Sequence, residues 1–113
     1  MPSNTSIVLE EGTLGIADYA FEGCTGLTSI TIPDSVTSIG NSAFRECTGL
    51  TSITIPDSVT SIGWEAFVGC TGLTSIKFNG TIEQWNAISK GSYWKYSVPA
   101  TQVGCTDGTI SIE

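Results

Sequence analysis

The chain contains a 23-residue repeat that returns almost unchanged. Residues 27–49, LTSITIPDSVTSIGNSAFRECTG, are followed by residues 50–72, LTSITIPDSVTSIGWEAFVGCTG. A repeat of this length is one supersecondary unit that cannot bury its own apolar face, so successive units must stack and share a core. The repeat therefore predicts a solenoid, in which each unit forms one coil.

The period extends beyond the two regular copies. Upstream, Ile7, Phe21 and Cys24 keep the register of a degenerate coil, and downstream the chain opens with LTSI at residue 73 before leaving the pattern. No break in composition or long Gly/Ser-rich linker marks a second domain. We expect a single domain at 1–113, with a degenerate first coil at 4–26, two regular coils at 27–72, and a last coil and cap at 73–113.

Each coil is predicted to contain a strand, a turn, a short strand and a helical turn. In the first regular copy these segments are 27–32, 33–35, 36–39 and 41–47. Leu27, Ile30 and Ile32 are expected to point inward, because apolar residues alternate with polar ones in a half-buried strand. The expected fold class is α/β and β-rich, with about four such coils.

Stacking at about 4.8 Å per coil places equivalent residues above one another. The predicted columns are Ile7/Ile30/Ile53/Ile76, Phe21/Phe44/Phe67 and Cys24/Cys47/Cys70. A solenoid also needs an atypical end that covers its last apolar cross-section. Trp85 falls where earlier coils carry Ile39 and Ile62, and the residues predicted to form this cover are Trp85, Ile88, Tyr93, Trp94 and Tyr96.

The cysteines allow three interpretations. Buried free thiols are favoured, because reduced Cys behaves as a small apolar residue. A metal site is less favoured, because the chain has no histidine and no CxxC pair. A disulfide between neighbouring coils, or between Cys70 and Cys105, stays open as a third possibility.

Composition argues against several classes of function. A net charge of −7 and no basic stripe disfavour nucleic acid and anionic membrane surfaces as partners. Acid–base catalysis has no histidine to use, and no glycine-rich phosphate loop is present, so we expect no enzyme and no cofactor. No signal peptide or long apolar run is visible, and the chain is expected to be a segment of a longer protein.

Two polar rows are expected to face outward from the strands. Their members are Ser29, Thr31, Ser52, Thr54, Ser75 and Lys77. They either form a binding platform or merely keep one sheet face soluble. Ice binding is a third possibility, which the spacing of Thr28 and Thr31 disfavours. The two copies differ only at 41/64, 42/65, 45/68 and 46/69, which suggests a permissive exterior. Simple tolerance of variation is the favoured explanation, and an apolar surface spot at Trp64 and Val68 is the alternative.

The motif LTSITIPDSVTSIGxxAFxxCTG resembles the BspA-like, or Treponema pallidum type, class of bacterial leucine-rich repeats. The likeness runs from residue 4 to about residue 85, and the segments GTIEQWNAISKGSYW and CTDG resemble the C-terminal cap of that class. The resemblance implies a right-handed leucine-rich-repeat solenoid with a parallel sheet on its concave side. It also implies a secreted or surface-displayed bacterial protein, some members being adhesins for host proteins.

Two functions follow from this reading of the chain. The first is a non-enzymatic protein-binding or adhesion module, with a host extracellular protein as a possible partner. The second is a passive structural spacer that self-associates through the ends of the solenoid. Neither function inserts into a membrane.

Overall fold

The computed structural model describes residues 3–112 of the chain, in which longer and two-residue strands alternate. The elements in chain order are β1 Thr5–Val8, β2 Gly15–Ile16, β3 Leu27–Thr31, β4 Ser38–Ile39, β5 Ser52–Ile55, β6 Ser61–Ile62, β7 Ser75–Phe78, α1 Ile82–Ala87, β8 Ser89–Lys90, β9 Gln102–Cys105 and β10 Gly108–Ser111. This alternation confirms the predicted solenoid of about four coils. The predicted domain limits at Met1 and Glu113 lie outside the described residues, and the division into coils and cap stays a prediction.

Parallel pairing in the repeat register joins the coils. The two-residue strands form one sheet in the order β2-β4-β6-β8, in which Ser38 pairs with Ser61. The longer strands form two sheets, β1-β3 and β5-β7-β9-β10, so the parallel sheet implied by the resemblance is interrupted between β3 and β5. Coils two and three remain joined across that gap by β4 and β6, and by turn hydrogen bonds such as Phe44 N to Ala66 O at 2.8 Å.

The predicted columns form the core. Leu27, Ile30 and Ile32 are buried, as expected for the inward positions of a strand. The rings of Phe21 and Phe44 stack at 5.4 Å, and those of Phe44 and Phe67 stack at 5.3 Å with only 1° between their planes. Each fully buried aromatic or aliphatic side chain contributes about 2 kcal/mol through removal of apolar surface from water. The stacked apolar columns are therefore the main source of stability.

Hydroxyl side chains connect each coil to the one before it. Thr37 Oγ1 donates to Leu14 O at 3.2 Å, and Thr60 Oγ1 donates to Thr37 O at 3.3 Å. Ser35 and Ser58 donate in the same way from the preceding turn, at 2.7 and 2.6 Å. These bonds give carbonyl groups at the rim of each coil an additional partner, which explains why Ser and Thr recur at fixed positions.

The segment predicted as a helical turn is a series of hydrogen-bonded turns instead. Two positions in each coil have positive φ, which a right-handed helix does not allow. The first column contains Tyr19, Ser42, Glu65 and Tyr93, and the second contains Gly23, Glu46, Gly69 and Ser97. The permissive exterior predicted for this segment is wrong at Ser42, whose side chain is completely buried.

The last coil contains an insertion that the repeat did not predict. Lys90, rather than Trp85, pairs with Ile62, so the separation grows from 23 residues to 28. The longer connection contains α1, which begins with a capping box between Thr81 and Gln84. Trp85 is buried on this helix, and the Lys90 ammonium lies 4.7 Å from the centre of its ring.

Lys90 occupies a column that is otherwise apolar. Its Nζ donates to Trp85 O at 2.8 Å and to Ile88 O at 3.2 Å, so it satisfies carbonyl groups at the end of α1. Partial burial lowers the pKa of this ammonium from its ordinary value of 10.5. The carbonyl groups and the indole face compensate the ammonium for part of its lost hydration.

The predicted cover is correct for three residues and wrong for two. Trp85 and Ile88 are buried and Trp94 is half-buried, whereas Tyr93 and Tyr96 are 68% and 63% exposed. The long-strand sheet ends in the antiparallel hairpin of β9 and β10. Asp107 Oδ1 accepts the Ile82 N–H at 2.9 Å and so fastens this hairpin to the start of α1.

Candidate functional site

The polar residues predicted to face outward lie on the long strands, and we call them the polar ladder. The ladder comprises Ser29, Thr31, Ser52, Thr54, Ser75 and Lys77, all exposed except the half-buried Ser75. Ser52 pairs with Ser75 and Thr54 with Lys77, so the two rows cross neighbouring strands in register. The predicted outward orientation is confirmed, while a binding role for these residues stays a prediction.

Alternation along each strand positions the ladder. Ile53 lies between Ser52 and Thr54 and is buried, because successive side chains of a strand point to opposite faces. The interruption between β3 and β5 divides the ladder. Ser29 and Thr31 lie on one sheet, where Ser29 Oγ donates to Ser6 Oγ at 2.9 Å, and the other four residues lie on the second sheet.

One end of the ladder carries a positive charge beside a cleft. Lys77 pairs with Gly104 of β9 and, together with Phe78 and Cys105, lines a cleft of about 280 Å³. The sequence pattern missed the contribution of β9, because this strand lies outside the 23-residue period. The CTDG segment was the available signal, since an Asp-Gly pair after a short strand is typical of a hairpin.

The cysteine column consists of thiols that bond to the backbone. Cys47 Sγ donates to Phe21 O at 3.1 Å, and Cys70 Sγ donates to Phe44 O at 3.0 Å. The neighbouring Cys47 side chain, together with burial, raises the pKa of the Cys70 thiol. All four cysteines are free, so the disulfide alternatives are not realised. Within residues 3–112, no cluster of His, Cys, Asp or Glu is arranged to hold a metal ion.

A second exposed surface lies on the turn segments. Trp64 is 42% exposed and contacts Tyr19 edge to face, with 6.3 Å between ring centres. Glu65, Val68, Tyr93 and Tyr96 line a shallow cleft of about 260 Å³. The alternative of an apolar spot at Trp64 and Val68 was thus incomplete, since exposed aromatic residues from the first and last coils extend it. The positions of Tyr93 and Tyr96 depend on the insertion in the last coil, whereas Tyr19 keeps the 23-residue spacing from Ser42 and Glu65.

Stacked coils, each with a long strand, a short strand and a turn segment, define a leucine-rich-repeat solenoid. The chain belongs to the BspA type leucine-rich-repeat family, whose model matches residues 1–101 with six copies of the repeat. A search of curated proteins found no match to this chain.

A solved structure shows the same fold. The leucine-rich-repeat protein of Treponema pallidum has a TM-score of 0.64 and 23% identity, over 87% of this chain and 57% of its own length. A leucine-rich cell surface protein of Faecalibacterium prausnitzii A2-165 has a TM-score of 0.47 and 26% identity, over 77% of this chain and 35% of its own. The chain therefore spans little more than half of the first protein and about a third of the second. Among the residues described, no helix is long and apolar enough to cross a membrane.

Proposed function

We propose that the chain is a non-enzymatic protein-binding module that engages its partner through the polar ladder. The observation that carries this proposal is the pairing of Ser52 with Ser75 and of Thr54 with Lys77, above a layer of buried isoleucines. The fold itself supports an interaction role, because solenoid sheets present extended and rigid binding surfaces.

The side chains of the ladder suit a protein partner better than a chemical reaction. Ser and Thr have short side chains that lose little conformational entropy when they are fixed in an interface. Their hydroxyl groups both donate and accept hydrogen bonds, so they can pair with the backbone or polar side chains of a partner. No histidine is available to activate them as nucleophiles. The ladder therefore favours recognition over catalysis.

The location and the partner are part of the same proposal. Resemblance to BspA-like proteins supports a secreted or surface-displayed bacterial protein and a host extracellular protein as its partner. A net charge of −7 favours partners with a neutral or basic contact surface. Nucleic acid and membrane lipid are not proposed as partners.

A matched pair of double variants tests the ladder. Thr31→Arg with Thr54→Arg places two long cations on the exposed ladder, whereas Thr48→Arg with Thr71→Arg places the same change at exposed turn positions outside the ladder. Binding to an immobilised panel of host extracellular matrix proteins would be measured for each variant. We expect the ladder variant to lose at least about tenfold in affinity, and the control to bind as the unchanged chain does. Equal binding by the unchanged chain, the ladder variant and the control variant would contradict the proposal. Absence of binding by the unchanged chain would also contradict it.

Self-association of a structural spacer is the second candidate. In the described part of the chain, β1 pairs only with β3 and β2 pairs only with β4, so the first coil presents two strand edges. Such edges can pair with another copy. Sedimentation at several protein concentrations tests this, with a concentration-dependent dimer expected. A constant monomer up to millimolar concentration would rule out this candidate.

A further inference from the structure

The cleft on the turn segments has two aromatic walls. Tyr93 and Tyr96 lie with their ring centres 6.0 Å apart and their planes at 87°, and both rings are more than half exposed. Backbone hydrogen bonds hold these walls to the preceding coil, since Glu65 N donates to Ser92 O and Gly69 N donates to Tyr96 O, each at 3.0 Å. The walls are thus positioned by the fold before any ligand arrives.

The remaining lining residues come from the third coil. Val68 provides an apolar surface, and Glu65 provides a carboxylate in a half-buried position. Aromatic ring faces carry negative electrostatic potential and attract cations within about 6 Å. The carboxylate adds a full negative charge to the same cleft. The cleft is therefore complementary to a cation that also has apolar surface.

The hydrogen-bond acceptors that line the cleft determine which kind of cation fits it best. An ammonium has three N–H donors and a guanidinium has five, and each must find an acceptor when it leaves water. Each carbonyl group of Ser92, Tyr93, Trp94 and Tyr96 already accepts one backbone N–H group, so N–H donors in the cleft must share these acceptors or use the Glu65 carboxylate. A quaternary ammonium group has no N–H donor, so it can occupy an apolar, anionic cleft without this cost.

We propose that this cleft binds a small soluble quaternary ammonium cation of the choline type. The ammonium lies against the faces of Tyr93 and Tyr96, and its charge is balanced by the Glu65 carboxylate. The free cation is favoured over a phosphocholine group, because the phosphate would be repelled by Glu65 and by the net charge of −7. This site lies outside the polar ladder and does not depend on the function proposed for it.

An NMR titration with choline chloride tests the site, against sodium chloride at the same ionic strength. The matched probe is 3,3-dimethylbutan-1-ol, which has the shape of choline without its charge. We expect choline to shift the ring resonances of Tyr93 and Tyr96 with a dissociation constant of about 1 mM, because exposed cation–π contacts are weak. We expect the neutral probe and sodium chloride to leave these resonances unchanged.

Substitutions distinguish the contribution of the Glu65 charge to choline binding from that of the tyrosine rings. Tyr93→Leu and Glu65→Gln are each expected to weaken choline binding by about fivefold, the effect of one exposed cation–π contact or screened charge pair. Tyr93→Phe keeps the ring and is expected to bind normally, which keeps the test valid if Tyr93→Leu does not fold. Tyr19→Leu, which changes an exposed tyrosine outside the cleft, is expected to have no effect. Equal shifts with the neutral probe, unchanged binding after Glu65→Gln, or preferential binding of phosphatidylcholine vesicles would overturn the proposal.

Discussion

Backbone conformation at two residues per coil determines the path of the turn segment. Glycine occupies this left-handed conformation at Gly23 and Gly69, whereas Glu46 adopts it with φ of 60° in the second coil. A residue with a Cβ atom is strained in this region by about 1 kcal/mol or more, and glycine is not. Two coils of nearly identical sequence therefore differ in local strain at this one column.

Relief of this strain can be measured by substitution. We expect Gly23→Ala to destabilise the protein by about 1 kcal/mol, because an added Cβ meets no atom within 4 Å and only the backbone cost remains. Glu46→Gly is expected to stabilise it by about 0.5 kcal/mol, after the entropy lost by glycine on folding is subtracted. Urea denaturation gives both values. Glu46→Ala, which keeps the strain, is the control, and equal stability of the Gly and Ala variants would contradict the expectation.

Secondary-structure elements depart from the repeat mainly in the last coil. Insertion of α1 moves Lys90 into the column of Ile39 and Ile62 and brings Trp85 into the core. The helix has only six residues and cannot be stable alone, so its cap and its packing must hold it. Thr81 supplies the cap through a bond from Gln84 N to its Oγ1 at 3.1 Å.

Loss of this cap should weaken the end of the solenoid. We expect Thr81→Ala to lower the free energy of unfolding by about 1 kcal/mol, because the Gln84 N–H loses its acceptor and the reciprocal bond of the capping box is left alone. Thr81→Ser keeps the hydroxyl and should stay close to the unchanged protein. Thermal unfolding followed by circular dichroism provides the comparison. A Thr81→Ala midpoint equal to that of Thr81→Ser would show that the cap contributes nothing.

At the scale of the whole molecule, stability is a sum over coils and the contacts between neighbours. The second and third coils present nearly the same surfaces, and the stacks Phe21 to Phe44 and Phe44 to Phe67 have almost the same geometry. A coil can therefore be removed without creating a new kind of contact. Phe44 would then lie beneath Trp94, as Phe67 does now.

Deletion of residues 50–72 tests this additivity. We expect the shortened chain to fold with the same cap and a lower free energy of unfolding, because one set of stacked contacts is lost. Denaturant unfolding should also give a smaller m-value, since less surface is exposed. Deletion of residues 50–66, which breaks the register of the columns, is the control and should not fold. Failure of the 50–72 deletion to fold would contradict the additive description.

The sequence by itself determined the repeat, the inward residues of each strand and the columns of Ile, Phe and Cys. These features could be predicted because every regular coil packs against coils with the same sequence pattern. Positions that recur in the sequence are therefore also the positions that contact one another between coils. The outward rows of the polar ladder followed from the same alternation along each strand.

Only the tertiary structure decided the remaining features. The interruption between β3 and β5 and the burial of Ser42 arise between coils of equal length, where the repeat alone gives no sign of them. The exposure of Tyr93 and Tyr96 depends on the longer last coil. The period assigned Trp85 to a column that Lys90 occupies, because an insertion of five residues is not visible in a pattern that has already ended. The cleft beneath the two tyrosines exists for the same physical reason, since its walls and floor come from coils whose register the insertion sets.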